Sequence, residues 1–292
     1  MKLSSALDVI TYCHNNGVSL DALSLAYETK KTEKTPEYIE SYLKSVLKVM
    51  ENAIDSGIND VDNHIHGKII GNDSIQMKRR YETEKTVCGE TIAKAVAYAL
   101  STMEVNASMG KVVASPTAGS CGVLPAVLMT TKERFELTEA QLIKGLLAAN
   151  MVGSIVARNA TISGAEGGCQ AEVGTASAMA SGAVVHMMGG SVEQVFNASA
   201  MCFKNLLGLV CDPIAGLVES PCAKRNGMGA ANALLCAEMS LAGIKSIIPF
   251  DEVVEAMYRV GKAMPPSLRE TALGGLATTK TGVQIATDLF SK

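Results

Sequence analysis

Tryptophan is missing altogether, and aromatic residues supply only 4% of the 292 positions. Binders of single-stranded nucleic acid stack bases on exposed rings, so this scarcity removes their main platform. Positive charge is not in surplus either: 26 Lys and Arg stand against 29 Asp and Glu, a net charge of −3, and basic clusters such as Lys78-Arg79-Arg80 are short. No nucleic-acid partner is expected from such a balance. Proline is sparse, at 8 residues, while 48% of the chain is hydrophobic. A chain of this kind can bury a sizeable core, and with no linker, repeat or low-complexity tract it is expected to form one domain over 1–292.

Long apolar runs are also wanting. The start, Met1-Lys2-Leu3-Ser4-Ser5-Ala6-Leu7-Asp8, meets a charge before any apolar stretch develops and has no small-residue cleavage site, so no secretory signal is expected. The uncharged stretch 173–192 is rich in Gly, Ala, Ser and Met rather than Leu, Ile and Phe. It reads as a closely packed buried helix and not as a membrane span. A cytoplasmic protein without a membrane partner follows, and in that compartment its 8 cysteines should be reduced thiols with metal, catalytic or core roles.

What the sequence does hold is helical periodicity. Leu3, Ala6, Leu7, Ile10 and Cys13 follow it up to Gly17, and a short helix follows Ser19. Thr35-Pro36 starts a long helix to Gly57 with a stripe of Ile39, Tyr42, Leu43, Val46, Leu47, Met50 and Ile54. Spacing predicts further helices over 86–109, from about Val123, and over 230–242 and 251–263. The capping boxes Thr138-Glu139-Ala140-Gln141 and Ser191-Val192-Glu193-Gln194 start two more. About ten helices and no alternating strands make the expected class all-α, a multi-helix bundle with Gly-rich loops.

Three breaks in this pattern carry candidate chemistry. Residues 58–80 read as a loop containing His64 and His66, a pair that suits metal ligation only with a third ligand nearby, and otherwise a polar loop. The turn Thr117-Ala118-Gly119-Ser120 opens an apolar helix and offers backbone N–H groups to a carboxylate, or serves as a tight connector. The stretch 158–168 is too polar and glycine-rich for an ordinary helix, and beyond it Cys169, Cys211 and Cys222 fall in glycine- and proline-bearing segments. Their spacing, Cys-x41-Cys-x10-Cys, fits neither a paired zinc site nor a compact ferredoxin run. Three loop thiols without a clear fourth suit a cluster with one open metal, and Cys121 is the rival fourth ligand. Cys88, Cys202 and Cys236 read as small core hydrophobes.

The segments Ser115 to Ser120, Asn159 to Gly174 and Cys211 to Cys222, with Gly71-Asn72-Asp73, Lys224-Arg225-Asn226 and Leu268 to Leu276, resemble the α chain of iron–sulfur-dependent L-serine dehydratase. The resemblance covers most of the chain. It implies a [4Fe–4S] cluster on Cys169, Cys211 and Cys222 whose fourth iron acts as a Lewis acid on the hydroxyl of L-serine, giving pyruvate and ammonia. It also implies that Thr117, Ala118, Gly119 and Ser120 hold the substrate carboxylate and that Asn72, Asp73, Asn159 and Ser163 line the pocket. Asp73, Glu166 or Glu172 would receive the substrate ammonium.

Two departures from single-chain relatives matter. Their additional N-terminal domain with its Ser-Ser-His-Thr segment has no counterpart in this sequence, which implies a β chain that supplies the catalytic base, with His64 and His66 as local candidates. The terminal cysteine by which some of them block the open iron is replaced by Asp288-Leu289-Phe290-Ser291-Lys292. The rival expectations are elimination of sulfide from cysteine at the same iron, and a non-catalytic subunit that carries a cluster for structure.

Overall fold

A helix with almost no charged surface forms the centre of the computed structural model, which describes residues 3–60, 62 and 64–291. The described elements are α1 (Ala6–Asn16), α2 (Leu20–Thr32), α3 (Pro36–Ile58), α4 (Asp73–Thr83), α5 (Gly89–Ala107), α6 (Val123–Phe135), α7 (Glu139–Asn159), α8 (Gly164–Gly167), α9 (Cys169–Met187), α10 (Val192–Leu206), α11 (Cys222–Leu241), α12 (Phe250–Ala263) and α13 (Lys280–Phe290). Single 3₁₀ turns lie at Ala118–Ser120, Ile214–Gly216, Pro266–Leu268 and Gly275–Thr278. Among the described residues there is no strand, only isolated bridges joining His66 to Gly71 and Cys211 to Arg269.

The central helix is α9, every residue of which from Cys169 to Val185 is buried. Its small side chains permit that burial, because α7, α10 and α11 approach its backbone closely. A methyl at Gly174 would lie 3.2 Å from the Phe203 ring of α10, and one at Gly153 of α7 would lie 2.8 Å from Met179 Sδ. Hydroxyls fill the polar gaps: Ser177 donates to Gly229 O on α11 and Ser199 of α10 to Ala178 O, each at 2.9 Å. The stretch expected to be a packed helix is therefore α9. The helix with the length and hydropathy of a membrane span is α7, and 67% of its most apolar window is buried inside the molecule.

The structure differs from the sequence reading in two places. Residues 73–80, expected to be loop, belong to α4 (Asp73–Thr83), although the side chain of Asn72 does not cap it. Its free N–H groups are met from a distance: buried Glu104 of α5 accepts from Asp73 N at 2.7 Å and from Ser74 N at 3.2 Å. At the other end of the chain, α13 is capped by Thr279, whose hydroxyl accepts from Gly282 N at 3.1 Å. It rests on the 3₁₀ turns at 214–216 and 275–278 and leaves Val283 and Phe290 exposed.

Helix α2 is fastened to the last turn of α9 by Asp21, 3.1 Å from His186 Nε2 and 3.9 Å from Lys144 Nζ. Burial works to raise the Asp21 carboxyl, but hydrogen bonds from His186 and Ser19 and the charges of His186 and Lys144 outweigh it and hold the group well below the usual carboxylate range. A depressed folded value stabilises above the unfolded pKa of about 4 and is lost as pH falls through the folded value. Asp21→Asn should therefore lower the melting temperature by about 2 °C at neutral pH. The gap to wild type should close progressively as the pH is taken below about 4; a constant gap down the acid limb would contradict this.

Candidate functional site

Three separate segments bring the cysteines together. Cys169 is the first residue of α9 and Cys222 the first of α11, while Cys211 lies between α10 and α11. Only Cys211 occupies irregular backbone; for the other two, the glycine and proline just upstream mark a helix entry. A helix start sets unpaired N–H groups and the positive end of the dipole beside the sulfur, which favours thiolate. The entry to α9 needs glycine at 168, where φ is +76° and a Cβ would lie 2.8 Å from Leu209 O. Fully buried Gln170 then fixes that entry: its amide donates to Gly167 O and Met257 O, each at 2.9 Å, and its oxygen accepts from Gly208 N at 3.0 Å.

Cys211 is held on both flanks. Its N–H donates to Leu268 O at 2.9 Å, and its carbonyl accepts from Glu270 N at 2.7 Å. Next to it, buried Asp212 lies 2.8 Å from Arg225 Nη1 and accepts from Leu276 N at 2.7 Å. The three cysteines are free and buried. Burial pushes Cys169 and Cys222 up to about 12 each, the Arg225 guanidinium pulling both the other way. Burial raises Cys211 too, and the charges of Cys169, Glu172, Glu270 and Cys222 add to that. Metal binding requires these thiols to give up their protons.

The turn expected to bind a carboxylate reaches the same place. Thr117 Oγ1 donates to Glu172 Oε1 at 2.7 Å, and Glu172, Cys211 and Glu270 offer ligand atoms that all lie within 4.8 Å of one another. Asn226, fully buried one turn beyond Cys222, buckles the turn to α11: its amide donates to Gly119 O at 2.8 Å and Cys222 O at 2.9 Å, and its oxygen accepts from Gly122 N at 3.0 Å. At Gly164 a Cβ would lie 2.6 Å from Glu172 Oε2 and 3.2 Å from Cys211 Sγ, so only glycine leaves that space open. Ser163 precedes it as the N-cap of the one-turn α8.

Other expected residues are placed around this centre or away from it. Asp73 pairs with Lys224 of α11, and Asn72 sits at the start of α4 with φ +63°. The amide of Asn159 is committed to Ser4 O at 2.7 Å. Cys121 is fully buried with its thiol 3.7 Å from Met103 Sδ, in an apolar cluster that also contains Cys222. His64 and His66 are exposed, and His66 Nδ1 lies 2.9 Å from Gly67 O. Their loop is nevertheless tethered to the centre. Glu219, between Cys211 and Cys222, accepts from the N–H groups of Lys68, Ile69 and Ile70 at 3.1, 2.7 and 3.2 Å. Motif reading passes over Glu219, Gln170 and the bonds of Asn226, because most of their partners are remote backbone groups; for Gln170 and Asn226 the one available signal is a polar residue inside a helical stretch.

Fold and site together define an all-helical protein with a buried centre of three unoxidised thiols from three segments, a donor set that suits iron–sulfur ligation. A serine dehydratase alpha chain family model matches residues 15–277. The chain is 47% identical to the probable L-serine dehydratase alpha chain of Bacillus subtilis, over 97% of this chain and 94% of the relative. It is 45% identical to the L-serine dehydratase alpha chain of Peptoniphilus asaccharolyticus, over 99% of each. With the L-serine dehydratase TdcG of Escherichia coli the identity is 35%, over 94% of this chain but only 61% of the relative. The chain belongs to the serine dehydratase alpha chain family, and with it to the carbon–oxygen lyases.

Proposed function

We propose that this chain converts L-serine to pyruvate and ammonia with a [4Fe–4S] cluster held by Cys169, Cys211 and Cys222, and that a β chain completes its site. The observation that carries this reading is the bond from Thr117 of the carboxylate-binding turn to Glu172, whose carboxylate stands beside Cys211. Substrate recognition and the thiol centre thus meet at one point. When bound, the cluster supplies a Lewis acid for the departing hydroxyl at an iron that three protein ligands leave open.

The chain's own residues do the rest of the positioning. Ala118 and Gly119 head the 3₁₀ turn, and with the Ser120 hydroxyl they hold the substrate carboxylate, while Thr117 at the head of the same turn gives its hydroxyl proton to Glu172. Ser163, next to Gly164, lines the pocket together with Asn72 and Asp73 at the start of α4, where Asp73 pairs with Lys224. The proton on Cα is taken by a base of the partner chain. The relative that carries this unit within 61% of its own length supports a partner that supplies the remainder. The free thiols support a reducing, cytoplasmic location.

The test is anaerobic electron paramagnetic resonance of the iron-loaded chain with its partner, with and without L-serine, alongside pyruvate release. A serine-dependent change in a four-iron signal, with turnover, is the expected result. A signal indifferent to serine and no pyruvate would overturn the assignment.

A further inference from the structure

An α-amino acid presents a carboxylate, a hydroxymethyl group and an ammonium from one Cα, and the function proposed above leaves the ammonium without a partner. We propose that Glu172 receives the substrate ammonium and thereby makes the site select an amino acid over the matching 2-hydroxy acid. This inference rests on the serine reading and adds the residue that reads the amine.

The neighbouring carboxylates are otherwise placed. Glu166 is exposed, Asp73 is paired with Lys224, Asp212 with Arg225, and Glu219 is saturated by three backbone N–H groups. Glu172 is only 9% exposed, yet among the described residues its one hydrogen bond is the Thr117 hydroxyl on Oε1. A carboxylate has about four acceptor positions. Burying one with three of them idle is costly unless a cation or further donors arrive.

Position favours the ammonium as that cation. Bonded to Thr117, Glu172 lies next to the turn that takes the substrate carboxylate, within the reach of substituents on one carbon atom. The glycines keep a small cation's space clear: a Cβ at Gly119 would lie 3.1 Å from Oε1, and one at Gly164 would lie 2.6 Å from Oε2. Charge divides the site in the same sense. Glu270 adds a second negative group on the exposed side of Glu172, while Arg225 acts on Cys169 and Cys222. An amine is drawn to the Glu172 side and a second carboxylate is repelled from it.

The experiment titrates the iron-loaded chain and its partner, anaerobically, with L-serine and with L-glycerate, which keeps the carboxylate and both carbons but carries a neutral hydroxyl in place of the ammonium. Binding is read from the cluster's spectrum, and iron per chain is measured in parallel. Glu172→Gln, of unchanged size, is expected to weaken L-serine by about 30-fold while glycerate binding moves by less than about threefold and iron content stays at the wild-type level. Glu172→Asp should restore part of the preference for serine. Equal weakening of both ligands, unchanged serine binding, or loss of iron would each overturn the proposal, the last by making Glu172 a ligand of the cluster. Wild-type protein blind to serine would instead overturn the serine reading and take this inference with it.

Discussion

Cys211→Ser is expected to leave the helical fold standing and to bring iron, acid-labile sulfide and pyruvate formation down to background. A serine hydroxyl does not ionise in the range where a thiol does, so the third ligand is lost outright. The backbone at this position is pinned to Leu268 and Glu270 and cannot slide to present another side chain. Cys121 shares an apolar cluster with Cys222 but is fully buried against Met103, with burial pushing its thiol up to about 12. Two thiols remain at helix starts, too few to hold the group. Cys88→Ser is the control: that residue is exposed and should be replaceable without loss of iron. Full iron content and activity in the Cys211 variant would refute the ligand assignment.

Asn226→Ala should have the next largest effect. The substitution strands the buried Gly122 N–H and takes the donor from the part-buried Gly119 C=O. Leaving buried polar groups unpaired, together with the lost bonds, costs roughly 2–4 kcal/mol and should lower the melting temperature by several degrees. The larger consequence falls on the reaction. The turn carrying Thr117 to Ser120 is tied to α11 through this side chain, and a displacement of an ångström there costs about 100-fold in kcat/KM. Asn226→Asp should not rescue it, because a carboxylate keeps the acceptor for Gly122 but faces two carbonyl oxygens with no proton to give. Iron content should survive both changes. Wild-type kinetics in the alanine variant would refute the coupling.

Local chemistry made much of the fold legible. Thr35-Pro36 starts α3, and both capping boxes form, with Thr138 bonded to Gln141 and Ser191 to Gln194. Those signals lie within four residues of one another, so a single stretch contains both donor and acceptor. The helix α4 escaped because its N-terminus is satisfied by Glu104, thirty residues away in sequence, and its own composition is mostly polar. Within the site, the three cysteines, the Thr117 turn and Glu172 could all be named from the sequence. That Glu172 and not Glu166 faces the thiols could not, because the two differ only in which side of a helix entry they occupy. The bonds of Asn226, Gln170 and Glu219 were hidden for a related reason: each serves carbonyls and N–H groups, which look alike in every residue.

The bridge between Cys211 and Arg269 also sets an order in time. Protein synthesis delivers Cys169, Cys211 and Cys222 well before the segment from Leu268 to Leu276 that pins Cys211 and meets Asp212. A growing chain can fold α9 and α11 with two thiols in register, but the third stays unanchored until nearly the whole polypeptide has left the ribosome. A chain broken off before Leu268 therefore lacks the backbone bonds that hold Cys211 in place.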